Sequence, residues 1–170
     1  RSVTFEAGTL YTWSIGSSYF AGCTSLKEIE LKLFYKTNTS VTPFAPSVTN
    51  GRNGAFMGCT ALEKVVLYFP NTTATTGIDS NFDVFRDCSS LKTVEFYNGN
   101  NKQIGFKYIS DGTFVGCTSL EELPMLANTA SVEGTPFAGT NFEVMHFKTV
   151  MYYRDGANFA GMKNLKDVFI

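Results

Sequence analysis

The sequence of 170 residues has few of the groups on which most catalytic and nucleic-acid-binding sites depend. It contains one His, and charged residues make up only 17%, below the share of about 25% in an average soluble domain. Its 14 Lys and Arg are balanced by 15 Asp and Glu, which leaves a net charge of −1. That balance excludes the basic surface used by most nucleic-acid-binding proteins. No apolar run approaches the roughly 18 residues of a membrane span, so we expect neither a nucleic-acid partner nor membrane insertion.

The sequence also lacks the spacing of residues that metal sites and catalytic triads require. Its four Cys include no C-x-x-C pair, which argues against zinc. The segment from Asp79 to Asp83 begins like a calcium loop, but Val84 and Ser90 stand where that loop needs Gly and Glu. His146 has no set of partners for a triad and is predicted to be a surface residue. We therefore expect no catalytic residue, no metal and no cofactor, and an enzyme is the least favoured class of protein.

What the sequence does contain is an internal repeat. The segment FAGCTSLKEIEL begins at Phe20, and related segments follow along the whole chain. The intervals between successive repeat phenylalanines are 36, 29, 29, 23 and 22 residues. Residues 1–5 read as the strand half of a preceding copy, so we expect the chain to be a fragment of a longer protein. We expect the six repeat phenylalanines to form an aromatic ladder inside the fold. They are Phe20, Phe56, Phe85, Phe114, Phe137 and Phe159.

Each copy combines a tight turn with a short strand. The pattern L-x-x-I-x-L directs Leu26, Ile29 and Leu31 inward in the first copy, and the residues between them point to the open face. The segment before it is predicted to form a short helical turn, capped by Ser17 in the first copy and by Asp111 in the fourth. A repeat of this kind buries its apolar side only by stacking on its neighbours. We therefore expect the equivalent inward positions to lie in consecutive neighbouring strands of one parallel sheet. These positions are Ile29, Val65, Val94, Leu123, Met145 and Val168.

The motif A-F-x-G-C-T-S-L, followed by an I-x-L strand, resembles the BspA-like leucine-rich repeats of bacterial surface proteins. The resemblance implies a right-handed leucine-rich repeat solenoid, with one parallel β-sheet face and short helical turns and loops opposite. It extends over residues 1–170 as a single domain of about six repeats. It also implies an extracellular or cell-surface setting, with adhesion or ligand binding and no catalysis.

Three of the intervals between repeat phenylalanines are longer than the other two. Residues 32–54, 68–81 and 97–109 are rich in Thr, Asn and Gly and are predicted to be solvated loops inserted into the repeat.

The cysteines recur three residues after the repeat phenylalanine, where side chains of adjacent coils run parallel. Disulfide geometry needs side chains that point toward each other, so we expect four reduced, buried thiols. These are Cys23, Cys59, Cys88 and Cys117.

The outward strand positions form three columns across the copies, and most of their residues are polar. The exception is Tyr68 beside Tyr97, with apolar residues near both. Exposed aromatic clusters on polar surfaces favour binding sites, although these tyrosines could instead pack beneath the inserted loops. The candidate binding residues are Val66, Tyr68, Glu95, Tyr97, Pro124 and Leu126.

Two classes of function remain open. The first is a non-catalytic extracellular binding or adhesion module that recognises a protein or glycan of a host or neighbouring cell. The second is a structural spacer whose repeats display another domain. A contiguous apolar or single-sign patch on the sheet face would favour the binding module.

Overall fold

A computed structural model describes the backbone of residues 2–4, 15–16, 18–33, 44, 54–69, 78–80, 82–122, 126–146, 150–154 and 159–169. Within these residues the regular elements are strands, and no helix occurs. The strands are β1 (Ser2–Thr4), β2 (Glu28–Lys32), β3 (Lys64–Phe69), β4 (Ile78–Asp79), β5 (Thr93–Asn98), β6 (Gln103–Ile104), β7 (Phe106–Ile109), β8 (Leu126–Glu133), β9 (Val144–His146), β10 (Val150–Arg154) and β11 (Asp167–Phe169).

The strands of the L-x-x-I-x-L pattern pair in parallel and in the predicted register. The first sheet has the order β1-β2-β3-β5-β6, and its first four strands are parallel. Ile29 lies opposite Val65, and Val65 lies opposite Val94. The pairing of β1 with β2 confirms that the first residues of the chain provide a strand. Near the other end of the chain Met145 pairs with Val168, as predicted, although β9 and β11 form a separate two-stranded sheet.

The prediction of a single sheet was therefore wrong for the described residues. A further sheet has the order β10-β8-β7-β4, and all its strands are parallel. Leu123, predicted to continue the first sheet, lies outside the described residues. The right-handed path of the solenoid stays a prediction.

Two of the three predicted insertions contribute to the fold, which corrects their interpretation as solvated loops. Residues 68–81 provide β4, and residues 97–109 provide β6 and β7. Within them Ile78, Phe106 and Ile109 are fully buried. In the third insertion, residues 32–54, Phe44 is also buried, and its ring contacts that of Phe85 edge-on with the centroids 5.8 Å apart. A Thr- and Asn-rich composition concealed these few apolar residues, which extend the core away from the first sheet.

The segments around the repeat phenylalanines are hydrogen-bonded turns, not short helices. Each turn directs backbone N–H groups to the next repeat: Phe56 N donates to Val84 O at 2.9 Å, and Gly58 N donates to Arg86 O at 2.8 Å. An α-helix would use these N–H groups for hydrogen bonds within its own segment, so they could not bond to the next repeat. Asp111, predicted as a helix cap, instead accepts a bond from Thr135 N of the following repeat at 2.8 Å. Ser17, the other predicted cap, lies outside the described residues.

A ladder of stacked phenylalanine rings forms the centre of the core, as predicted. Successive rings from Phe20 to Phe137 are stacked, with centroids 5.1 to 5.8 Å apart. Phe56, Phe85 and Phe114 are completely buried, whereas Phe20 and Phe159 are only partly buried. The inner rings therefore bury both of their faces against neighbouring repeats.

The thiols form a second ladder, in which three members are buried. Each of these donates a hydrogen bond to the carbonyl of the repeat phenylalanine in the preceding copy: Cys59 to Phe20 at 2.9 Å, Cys88 to Phe56 at 3.0 Å, and Cys117 to Phe85 at 3.0 Å. All four cysteines are free thiols, as predicted, but Cys23 is exposed. The prediction that all four are shielded was wrong for Cys23, since no described residue of an earlier copy covers its thiol.

Replacing Phe114 by Ala is expected to lower the free energy of unfolding by about 3–5 kcal/mol. Its ring is fully buried between Phe85 and Phe137, so truncation leaves a cavity that the stacked repeats cannot close. Denaturant unfolding measures the loss. Phe169→Ala is the control, because that side chain is 53% exposed and should cost less than about 1 kcal/mol. A loss below about 1 kcal/mol for Phe114→Ala would contradict its role in the core.

Thiol titration should show one fast and three slow cysteines in the native protein. Cys23 is exposed, whereas burial raises the pKa of the Cys117 thiol to about 12, and a hydrogen bond with Cys59 together with burial raises the pKa of Cys88. A hydrogen bond with Cys88 lowers the pKa of Cys59, but this thiol is fully buried, so a reagent cannot reach it in the folded protein. Reaction needs both the thiolate and access to it, so the three buried thiols react only on unfolding. A chromogenic thiol reagent measures the rates, and Cys23→Ser should remove the fast phase alone. Fewer than four thiols in the denatured, unreduced protein would reveal a disulfide and overturn the assignment.

Candidate functional site

The first sheet places the outward residues of β2, β3 and β5 in the three columns predicted from the sequence. Strand pairing aligns corresponding residues directly across the sheet. Because the strands are parallel and in register, every outward position repeats at the strand spacing of about 4.8 Å. The columns are Glu28, Lys64 and Thr93; Glu30, Val66 and Glu95; and Lys32, Tyr68 and Tyr97.

Tyr68 and Tyr97 form a stacked pair on this surface. Their ring centroids are 5.3 Å apart and their planes differ by 20°. Both side chains are half-buried. The centroid distance is close to the strand spacing, so the rings stand side by side above neighbouring strands. Tyr68 and Tyr97, the two central residues of the predicted binding site, are therefore in direct contact.

Glu95 connects the tyrosine pair to the adjacent strand. Its Oε2 accepts a hydrogen bond from the Tyr97 hydroxyl at 3.0 Å, and its Oε1 lies 3.2 Å from Lys64 Nζ. The hydrogen bond to the Glu95 carboxylate is the main cause that raises the pKa of Tyr97 above its usual value. Lys64 was not among the predicted site residues. The sequence did carry a signal for Lys64, because its charge is opposite to that of Glu95 and the two residues are one outward position apart on neighbouring strands.

Val66 is in the predicted column, but its side chain is only 7% exposed. It lies in register between Glu30 and Glu95, whose longer side chains flank it. Val66 is therefore part of the support of this surface and offers little area to a ligand, which corrects its place among the candidate contact residues.

The neighbour of Tyr97 on its other side is Gln103, not Leu126 as predicted. Strand β6 pairs antiparallel with β5 and places Gln103 opposite Tyr97, whereas Leu126 pairs with Phe106 in the second sheet. A tight turn causes this change of partner, since Asn98 Oδ1 accepts backbone bonds from Asn100 and Lys102 at 3.1 and 3.0 Å. The repeat pattern carries no signal for such a hairpin. Pro124 lies outside the described residues.

A second aromatic pair lies on β9 and β11. His146 and Phe169 are opposite each other and stack with centroids 4.7 Å apart and an interplanar angle of 7°. His146 is exposed, as predicted, and Phe169 is 53% exposed. Val144, on the same side of β9, is 39% exposed. The ring of His146 thus contacts an aromatic side chain of the neighbouring strand.

The structure gives the acidic segment around Asp83 a structural role. Asp83 is buried and accepts a hydrogen bond from Arg86 Nε at 2.6 Å, and Asn81 lies outside the described residues. No group of three or more His, Cys, Asp or Glu in the described part of the chain is placed to hold a metal ion. The described residues also contain no helix that is long and apolar enough to cross a membrane.

Comparison with protein families agrees with the stacked geometry of the repeats. The model of the BspA type leucine-rich repeat region matches six copies, over residues 2–108 and 83–170. No curated protein and no solved structure matches the chain. The two matched segments together span nearly the whole sequence and include all six repeat phenylalanines. The chain belongs to the BspA type leucine-rich repeat family.

Proposed function

We propose that the chain is a non-catalytic binding or adhesion module, extracellular or on the cell surface, that recognises a protein or glycan. The observation that carries this proposal is the stacked, half-exposed pair of Tyr68 and Tyr97 on a face whose other outward residues are mainly polar. Tyrosine offers a large apolar area together with a hydrogen-bonding hydroxyl, and it is enriched in binding hot spots. The family supports a setting on a bacterial surface.

The geometry around the tyrosines favours recognition over catalysis. Glu95 is joined to Lys64 and to Tyr97, and the three groups form a fixed polar network beside the aromatic pair. Such a network holds side chains in one arrangement, which reduces the entropy lost when a partner binds. The hydrogen bond from Tyr97 to Glu95 raises the pKa of the phenol, so the hydroxyl stays protonated and is not activated as a nucleophile.

The partner is expected to be a macromolecule of a host or neighbouring cell. Parallel in-register strands align their outward side chains in continuous rows, and rows of side chains suit extended contacts with macromolecules. A spacer that only displays another domain is the alternative, and it requires no binding by this face.

Changing both tyrosines to Ser is expected to abolish binding to members of a panel of purified matrix proteins and defined glycans. The reason is the loss of both apolar rings from the centre of the face. Immobilised panel binding, measured by surface plasmon resonance, gives the affinity, and thermal unfolding gives the stability. Since each ring is half-buried, we expect only a small fall in Tm.

The matched control is the double variant His146→Ser with Phe169→Ser, which removes the other stacked aromatic pair on an exposed strand face. It should retain binding. Binding that survives the loss of Tyr68 and Tyr97 while Tm falls would place these tyrosines in a structural role and move the site elsewhere. Wild-type protein that binds no member of the panel would favour the spacer.

A further inference from the structure

The carboxylate of Glu95 uses its two oxygens for two different neighbours. Oε1 lies 3.2 Å from Lys64 Nζ, and Oε2 accepts the Tyr97 hydroxyl at 3.0 Å. The side chain of Glu95 is 24% exposed, against 43% for Lys64, so the ion pair is partly shielded from water. Lys64 therefore holds the carboxylate in place, and the carboxylate in turn holds the hydroxyl of Tyr97.

This arrangement decides which hydrogen-bonding role Tyr97 can offer to a ligand. A phenol carries one proton and also accepts hydrogen bonds through its oxygen. The proton of Tyr97 is donated to Glu95, in a bond that the negative charge strengthens. What remains for a ligand is the acceptor capacity of the oxygen.

We infer that Glu95 is the positioning residue of the binding face: it fixes Tyr97 as a hydrogen-bond acceptor, and the partner is a polypeptide that supplies an N–H donor to that hydroxyl. The inference rests on the proposed function, and it names the partner's class and the group that meets Tyr97.

The orientation of the rings favours a polypeptide over a sugar. A sugar stacks on the flat face of an aromatic ring, and Tyr68 and Tyr97 each cover one face of the other. Their remaining faces lie toward the register positions of Lys32 and Gln103 on the flanking strands. The hydroxyl is therefore the more accessible part for a ligand that approaches from above the sheet, and arginine, lysine and backbone amides all present N–H donors.

The charge of the neighbouring column also favours a donor-bearing, cationic group. Glu30 is exposed and lies across Val66 from Glu95. Lys64, in the column on one side of these carboxylates, is already paired with Glu95. A guanidinium reaching the Tyr97 hydroxyl would find an accessible carboxylate in the adjacent column.

The first experiment tests the positioning role and needs no ligand. Phenolate absorbance is followed as the pH rises, and the contribution of Tyr97 is taken from the difference between wild type and Tyr97→Phe. In the wild type Tyr97 should ionise above the usual range of tyrosine, because a phenolate would lose its bond to Glu95 and lie beside that carboxylate. Glu95→Gln should return the ionisation toward the usual range. Glu143→Gln, which removes a surface carboxylate paired with Lys166, should leave it unchanged.

The same titration can overturn the positioning role. If Tyr97 ionises at the same pH in Glu95→Gln as in the wild type, the carboxylate does not control the hydroxyl. Circular dichroism of each variant shows whether the fold is retained. A Glu95→Gln variant that unfolds is replaced by Lys64→Met, which leaves the carboxylate but removes its anchor and should also shift the ionisation of Tyr97.

The second experiment tests the donor requirement with two small cations. L-argininamide carries N–H donors, whereas tetramethylammonium carries none, and both are followed by their effect on the Tyr97 ring signals in NMR spectra. We expect argininamide to shift these signals and tetramethylammonium to have a several-fold weaker effect. Glu95→Gln should reduce the argininamide effect. Because Tyr97→Phe lacks these signals, its response is followed at Tyr68, where the argininamide shift should be lost.

Three outcomes would contradict the donor requirement. An equal effect of tetramethylammonium would show that cations bind the ring faces. A shift at Tyr68 that persists in Tyr97→Phe would assign argininamide to the carboxylates. Signals that respond to a neutral oligosaccharide but not to argininamide would indicate a glycan partner. The last result would leave the proposed binding function intact, whereas wild-type protein that binds no member of the panel would refute that function separately.

Discussion

The stack of repeat phenylalanines is the interaction on which the rest of the structure depends. One repeat is too small to enclose an aromatic ring, so each inner phenylalanine is buried only because the repeats before and after it cover both faces. Backbone bonds from the turn segments, such as Phe56 N to Val84 O, fix the same spacing beside the rings. Once the rings are in register, the strands that follow them are in register too.

That register also creates the candidate site. Tyr68 and Tyr97 are 29 residues apart in the sequence, and the parallel pairing of β3 with β5 makes them direct neighbours. The contact of Glu95 with Lys64 has the same origin, since the two residues lie on adjacent strands one outward position apart. A shift of one residue would turn all of these side chains to the opposite face of the sheet. The candidate binding face is therefore a consequence of how the core is packed.

The longer intervals show how this chain departs from a minimal repeat. Phe106 contacts both Phe96 and Phe114 edge-on, with centroids 4.9 and 5.7 Å apart, and so joins an insertion to the strand and turn of the repeat. Strand β4, also from an insertion, pairs with β7 in the second sheet. The inserted segments thus lengthen three of the repeats without interrupting the phenylalanine stack. They also explain why the first sheet ends at β6, where the turn at Asn98 returns the chain along β5.

The sequence by itself determined the family, the phenylalanine stack, the four free thiols and the alignment of the outward columns on β2, β3 and β5. These features follow from a pattern that repeats, because residues at equivalent positions meet when copies stack. The tertiary structure alone decided the second sheet, the burial of Val66, the placement of Leu126 beside Phe106 and the bond between Tyr97 and Glu95. Each of these depends on a feature that occurs once, such as a hairpin at Asn98 or the length of a neighbouring side chain. A periodic signal cannot encode such features, so they arise only when the chain is folded.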